Sequence, residues 1–294
     1  MTTTDAVSAR DGSANGRTAY LVLGMHRSGT SAVTQMLALA GASLPENVLG
    51  GDEHNAKGYF EPWKIAQFNN ERLRAGGGAW DDVFSFPFRP LADDDAWRVR
   101  ALSVLAEEYG ASRSPLLKDP RVSVLMPLWR PVFEEAGLSP LCVIPVRDPL
   151  EVAGSLAKRD GFSRDKSILV WCAYMLAAEA YSRDLPRVFV SYDALLTDWR
   201  PQASRIERAH GIALPKLDAA AGESGAVGFR RKGQAGFFQA AGQQIGPAGL
   251  LAEAVAAAVD LSFVGVAGAD IEVAGVEPLP VRQIEKRIDR RVEL

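Results

Sequence analysis

The residues best suited to chemistry form one short loop, Gly24-Met25-His26-Arg27-Ser28-Gly29-Thr30-Ser31. The loop lies between a predicted strand and a predicted helix, where backbone N–H groups and a helix N-terminus converge on an anion. Its glycines let the backbone come close to a phosphate group. The ordinary nucleotide-binding loop has Lys directly after its last Gly. Here Thr30 follows Gly29 and the cation comes earlier, at Arg27, so a kinase would lack the lysine that reaches the β- and γ-phosphates.

The elements that must position this loop alternate between strand and helix patterns. The predicted strands are Ala19–Leu23, Pro115–Lys118, Leu141–Val146 and Arg187–Ser191. The predicted helices are Thr30–Ala40, Trp63–Leu73, Asp94–Tyr109, Val122–Glu135 and Ser167–Arg183, with another beginning at Leu150. This alternation favours an α/β fold with a central parallel sheet that is covered on both faces.

Length and composition limit the organisation and the possible partners. We predict a disordered leader over residues 1–17 and a single domain over residues 18–294, rich in Ala and Gly from about residue 235. The formal net charge of −3 indicates no excess of basic residues, so we expect no broad nucleic-acid-binding surface. No apolar run reaches the roughly 18–20 residues that cross a bilayer. The polar leader is not a secretory signal, and a disulfide framework from two cysteines is not expected, so we expect a cytoplasmic protein.

Two segments resemble motifs of one enzyme family. Arg27-Ser28-Gly29-Thr30-Ser31 resembles the 5′-phosphosulfate loop of sulfotransferases that use 3′-phosphoadenosine 5′-phosphosulfate (PAPS). It is closest to the branch, including tyrosylprotein sulfotransferases and many bacterial enzymes, that has Arg where cytosolic enzymes have Lys. The segment from Val146 to Ser155 is similar to the family's 3′-phosphate motif. There Arg147 stands at a strand end and Ser155 follows eight residues later in the next helix.

Two later segments resemble further motifs of the same family, and all four segments occur in the family's order and at about its spacing. The segment from Val190 to Asp198 resembles the family's strand followed by Tyr-acidic-x-Leu, which implies that Tyr192 lies near the adenine. Arg231-Lys232-Gly233 resembles the late loop that closes on the 3′-phosphate. The resemblance covers roughly residues 19–235. It implies a P-loop NTPase-like three-layer fold with a central parallel sheet.

The candidate catalytic residues include one departure from the family. Leu116 to Pro120 resembles a cytosolic-enzyme segment of the form Leu-Leu-Lys-x-His, in which Lys118 matches and Pro120 replaces the histidine base. Lys118 and Arg27 would place positive charge on the transferring group, since positioning and electrostatics dominate such reactions. No metal is expected, and the chain's three histidines have no tight metal-ligand spacing.

A hydroxyl acceptor then needs another general base. Glu61, His54 and Asp119 are the candidates. Each has a structural alternative. Glu61 could be a helix N-terminal acid stabilised by the helix dipole, His54 a surface loop residue, and Asp119 a partner of Arg121 or of its loop.

The resemblance implies a sulfotransferase that moves a sulfuryl group from PAPS to an acceptor and releases 3′-phosphoadenosine 5′-phosphate (PAP). The acceptor would be a small molecule or glycan with a hydroxyl, less often an amine, such as a carbohydrate, lipid or secondary metabolite. The sequence does not indicate an oligomeric state. Two alternatives stay open: a P-loop kinase of small metabolites, and a nucleotide-binding protein without catalysis, for which the absent histidine at Pro120 would be the best support.

Overall fold

The architecture is a four-stranded parallel sheet with flanking helices. A computed structural model describes residues 16–51, 58–82, 91 and 93–214. The strands are β1 (Arg17–Val22), β2 (Leu116–Lys118), β3 (Leu138–Val146) and β4 (Arg187–Ser191), in the order β2-β1-β3-β4. All neighbouring strands are parallel. The predicted α/β class with a central parallel sheet is confirmed.

Helices separate the strands along the chain. They are α1 (Thr30–Leu39), α2 (Trp63–Ala75), α3 (Asp94–Tyr109), α4 (Val122–Glu135), α5 (Pro149–Asp160), α6 (Arg164–Ala180), α7 (Tyr192–Thr197) and α8 (Trp199–His210). Neither α7 nor α8 was predicted from the sequence, although both carry cap residues. Ser191 Oγ accepts the Ala194 N–H at 3.3 Å, and Asp198 Oδ1 accepts the Arg200 N–H at 3.1 Å. Serine and aspartate in these places are ordinary helix-start signals.

The chain divides into two compact units. One comprises Met1–Arg147 with Ala173–Lys232, and the other comprises Asp148–Cys172 with Gly233–Leu294. The first unit contains the whole sheet. The second contains α5 and the first half of α6, where Ala153 and Ile168 form a small buried apolar cluster. The single-domain organisation stays a prediction.

The core of the first unit packs on the sheet and so fixes the strand ends from which the loops begin. On one face, Val22, Val143 and Val190 pack with the apolar side of α1 and with residues of α7 and α8. In β3, Leu141–Ile144 are all buried. Because successive side chains of a strand point to opposite faces, both faces of this strand are covered.

None of the helices in the part of the chain that the structure describes is long and apolar enough to span a bilayer.

Candidate functional site

The candidate site lies at the carboxyl edge of the sheet. Gly24–Gly29 follows β1, Lys118 ends β2, Arg147 follows β3, and Tyr192 follows β4. In register, Val22 is the partner of both Lys118 and Val143. Strand order reverses around β1, because β2 lies on one side of it and β3 on the other. In open α/β sheets, ligands bind outside the carboxyl ends of the strands at such a switch point.

The loop after β1 has a tightly turned backbone. Its φ angles are +114° at Gly24, +67° at Arg27 and +93° at Gly29. Positive φ is uncommon for a residue other than glycine, so Arg27 sits in a conformation that its surroundings must hold. One such contact comes from α4, where Ser123 Oγ accepts the Gly24 N–H at 2.8 Å. The loop then delivers the chain to the N-terminus of α1, which begins at Thr30.

Polar side chains of this loop are buried. Ser28 is fully buried, and its Oγ has no hydrogen-bond partner within the described ranges. Because an unsatisfied buried hydroxyl is costly, a ligand oxygen at this place would remove a penalty of about 1–3 kcal/mol. The His26 ring is also buried and meets the Trp80 ring edge-on, at 4.8 Å between centroids. The loop therefore contains a buried hydroxyl that a ligand oxygen could satisfy.

Arg147 joins three of the sequence-predicted residues. Its Nη1 donates to the Arg27 carbonyl oxygen at 2.9 Å. Its guanidinium lies over the Tyr192 ring, 4.9 Å from the centroid. The same ring packs on Gly29 so closely that a Cβ there would lie 2.2 Å from Tyr192 Cδ2. The predicted phosphosulfate loop, 3′-phosphate reader and adenine-side tyrosine are therefore in direct contact.

Glu61 and Lys118 form a buried ion pair. Lys118 Nζ donates to Glu61 Oε1 at 2.7 Å, and Arg121 Nη2 donates to Glu61 Oε2 at 2.9 Å. Glu61 is 4% exposed and Lys118 is 2% exposed. Lys118 also donates to the Tyr59 carbonyl oxygen at 3.0 Å, and Ser31 Oγ donates to the same oxygen at 3.4 Å. The Tyr59 carbonyl thus connects the ion pair to the first turn of α1.

Asp119 belongs to the same buried network. Its Oδ1 accepts from Arg121 Nε at 2.7 Å and from the Arg121 backbone N–H at 3.1 Å. Its Oδ2 accepts from Asn69 Nδ2 at 2.8 Å, and Asn69 Oδ1 accepts from Trp129 Nε1 at 2.9 Å. The pairing with Arg121 that the sequence analysis gave as the alternative to catalysis is present. Two carboxylates, on Glu61 and Asp119, balance the two cations of the network.

Electrostatics keep two neighbouring groups protonated. Burial by itself would lower the pKa of Arg121, but the carboxylates of Asp119 and Glu61 outweigh it and raise the pKa. Burial raises the pKa of Tyr174 well above its ordinary value. Its hydroxyl therefore stays protonated, and it donates to the Trp80 carbonyl oxygen at 2.8 Å.

The structure places the predicted residues in several groups. The loop residues, Arg147 and Tyr192 form one group, while Glu61, Lys118 and Asp119 form the second. Ser155 lies on α5 in the second compact unit, where its side chain is half-buried. The remaining predicted site residues lie outside the described residues: His54, Arg231, Lys232 and Gly233.

Sequence reasoning did not assign site roles to several residues that the structure brings in. Arg121 was considered only as a partner of Asp119, yet it holds Glu61 as well. Its position directly after Lys118-Asp119-Pro120 and before α4 was the available signal. Ser123 and Asn69 had no signal, because a serine and an asparagine in helices are ordinary surface residues until the fold buries them.

No group of three or more His, Cys, Asp or Glu side chains suited to a metal ion occurs among residues 16–51, 58–82, 91 and 93–214.

Comparisons with known proteins give structural likeness only. No family model and no curated protein sequence matches the chain. Sulfotransferase STF9 from Mycobacterium avium aligns with a TM-score of 0.48 and 14% identity, over 87% of this chain and 79% of that one. Sulfotransferase STF1 from Mycobacterium tuberculosis H37Rv aligns with a TM-score of 0.44 and 12% identity, over 71% of each chain. The sulfotransferase domain of the Synechococcus PCC 7002 olefin synthase aligns with a TM-score of 0.42 and 16% identity, over 71% of this chain and 78% of that one. At these scores, function must be argued from the site itself.

Proposed function

We propose that this chain is a sulfotransferase that moves a sulfuryl group from PAPS to the hydroxyl of a small-molecule or glycan acceptor. One observation carries the proposal: a glycine-bearing loop without the kinase lysine converges with Arg147, Tyr192 and Lys118 at one edge of a parallel sheet. These are the residues that the resemblance to PAPS-dependent sulfotransferases assigns to the donor. They come from four separate stretches of sequence.

The residues at the loop fit the phosphosulfate end of PAPS. Backbone N–H groups at the start of α1 and the buried Ser28 hydroxyl are donors suited to an anion. Gly29 has no Cβ, so the Tyr192 ring can pack directly on the backbone of the loop. Arg27 adds positive charge at the same loop. Together these groups would hold a phosphosulfate without a metal ion.

The residues after β3 and β4 fit the other end of the nucleotide. Arg147 would bind the 3′-phosphate, because a guanidinium forms charge-assisted bonds with phosphate oxygens. Ser155 and the Arg231-Lys232-Gly233 segment would add further contacts, as the resemblance implies. Tyr192 would lie near the adenine.

The buried ion pair fits the chemical step. When bound, PAPS supplies a sulfuryl group whose bond to the phosphate oxygen breaks as its bond to the acceptor oxygen forms. Lys118 has three N–H donors, and two of its bonds are to Glu61 and to the Tyr59 carbonyl. We propose that it also stabilises charge on the transferring group.

Glu61 would accept the proton of the acceptor hydroxyl. A carboxylate has about four lone-pair sites, so its bonds to Lys118 and Arg121 leave capacity for one more donor. Asp119 is a poorer candidate because Arg121 and Asn69 already donate three bonds to it. His54 remains a second candidate for the base.

Calorimetry tests the donor assignment. We expect PAP to bind the full-length protein in EDTA with the affinity it has in buffer containing Mg²⁺, while ATP with Mg²⁺ binds much more weakly. PAP affinity that disappears in EDTA, or tight binding of ATP only with Mg²⁺, would support the kinase alternative instead. PAP release from PAPS in the presence of a panel of hydroxyl acceptors then separates an enzyme from a binding protein.

A further inference from the structure

Arg147 has a contact that recognition of a 3′-phosphate does not require. Its Nη1 donates to the carbonyl oxygen of Arg27, which lies 120 residues earlier in the phosphate loop. A guanidinium has five N–H donors in a planar fork, so one bond to a carbonyl is compatible with others to a phosphate. The same side chain can therefore touch both anion-binding places of the proposed site.

The carbonyl that it contacts belongs to a conformation that needs support. Arg27 has φ of +67°, and left-handed backbone is unfavourable at a residue with a side chain. The hydrogen bond from Arg147 is made in this conformation, so it stabilises the turned loop relative to conformations in which the carbonyl points elsewhere. Arg147 thus stabilises the loop geometry that presents backbone N–H groups.

Tyr192 holds the guanidinium against the loop. The ring lies under Arg147 and beside Gly29, so it contacts both the cation and the loop backbone. A cation over an aromatic face is attracted by the ring's negative face, and a planar guanidinium suits this arrangement. Arg147, Tyr192 and the loop therefore form one packed assembly.

We infer that Arg147 is a positioning residue for the phosphosulfate loop, in addition to the 3′-phosphate contact on which the proposed function relies. The consequence is energetic coupling between the two anionic ends of the nucleotide. A 3′-phosphate that orders Arg147 also orders the loop for the 5′ end, and the effect is reciprocal. Loss of Arg147 must then weaken ligands that have no 3′-phosphate.

The test compares PAP with adenosine 5′-phosphosulfate, which has no 3′-phosphate. We expect Arg147→Met to weaken adenosine 5′-phosphosulfate about fivefold, the ordinary effect of one hydrogen bond. PAP should weaken by about 50- to 500-fold, since it loses the same fivefold and in addition a charge-assisted contact that accounts for about 10- to 100-fold. Ser155→Ala is the matched control, because its proposed contact is to the 3′-phosphate alone. It should leave adenosine 5′-phosphosulfate within about twofold of wild type, on the same single-contact scale.

Two conditions make the result specific to positioning. The affinity for adenosine 5′-phosphosulfate is measured again in 1 M salt, where the Debye length is about 3 Å. The long-range effect of losing one positive charge is screened there, so a loss of affinity that remains reports the local contact. Hydrogen exchange of the ligand-free protein should show faster exchange at the Ser28 amide in Arg147→Met and unchanged exchange in α8. Arg147→Gln, which keeps a polar group at this half-buried position, repeats the test if the methionine variant does not fold.

The outcomes are distinct. Wild-type affinity for adenosine 5′-phosphosulfate in both Arg147 variants, with weakened PAP, would overturn the positioning role and leave the sulfotransferase proposal standing. A wild-type protein that binds neither nucleotide would overturn the proposed function, and the inference with it.

Discussion

The region around Arg147 and the region around Glu61 both hold cations at the carboxyl edge of the sheet, but by different contacts. Arg147 is half-buried and meets a carbonyl and an aromatic ring. Lys118 and Arg121 are buried, and both donate to Glu61. The first arrangement keeps positive charge near a loop of unusual backbone angles. The second compensates each charge inside the protein.

This difference separates two tasks that a group-transfer site must perform. A place that receives an anion benefits from cationic donors that lie beside backbone N–H groups at a helix N-terminus. A place that moves a proton benefits from a rigid carboxylate whose neighbours hold it in one geometry. The predictions below test whether the two regions respond differently when each is perturbed.

The largest effect should follow Glu61→Gln, which keeps the shape, removes the basicity and also removes the charge that compensates the buried Lys118 and Arg121. We expect turnover to fall by roughly 10²–10⁴-fold, the usual range for general acid–base catalysis. PAP affinity should stay close to wild type, because Glu61 is outside the nucleotide contacts. Steady-state PAP release measures the first quantity and calorimetry the second.

Glu71→Gln is the control for Glu61→Gln. Glu71 is an exposed carboxylate on α2 whose partner is Arg100, at 2.6 Å. It should retain wild-type turnover. If Glu61→Gln were also near wild type while His54→Asn or Asp119→Asn lost turnover, the residue that lost it would be the base.

The next effect concerns stability of the buried network. Arg121→Met leaves Asp119 buried without its cation, and breaking a buried pair in this way costs about 3–5 kcal/mol. Denaturant unfolding of the two proteins measures the change in free energy of unfolding. A loss of this size would show that the network around Glu61 contributes to the stability of the fold as well as to the site.

The exposed pair between Arg130 and Asp184 supplies the matched comparison. Arg130 Nη2 and Asp184 Oδ2 are 2.6 Å apart, but the two side chains are 40% and 63% exposed. Arg130→Met should leave the free energy of unfolding almost unchanged because water screens such pairs. Equal losses in the two variants would mean that burial does not distinguish the network from a surface ion pair.

A smaller effect is expected from Gly29→Ala in the Arg147 region. The new Cβ would meet the Tyr192 ring, and φ of +93° is unfavourable for alanine. We expect a combined loss of about 2–4 kcal/mol, shared between stability and PAP binding. Thermal unfolding measures the loss of stability, and calorimetry with PAP measures the loss of binding.

Gly77→Ala controls for the backbone angle alone. Gly77 has φ of +81° and no atom within 4 Å of a Cβ placed there. It should lose roughly 1–2 kcal/mol of stability and none of the PAP affinity. If Gly29→Ala behaved in the same way, the contact between Tyr192 and the loop would have no role in binding.

Much of the fold followed from local patterns in the sequence. The apolar run in β3 predicted a strand buried on both faces, and the alternation of strand and helix predicted a parallel sheet. Helices α3 and α4 begin and end where the patterns placed them. The short α7 was not predicted, because a six-residue helix gives too little periodicity to stand out. The twelve-residue α8 was missed as well, although Asp198 at its start was an available signal.

The sequence by itself determined which residues could hold an anion, because Arg27, Ser28 and Gly29 are consecutive and lie between a strand and a helix. It also singled out Arg147, Lys118 and Tyr192 through a resemblance. It could not show that Arg147 bonds to the Arg27 carbonyl or that Arg121 holds Glu61. Those contacts join residues 120 and 60 positions apart. Only the packing of parallel strands, which brings all four carboxyl ends to one edge, decides which distant side chains meet.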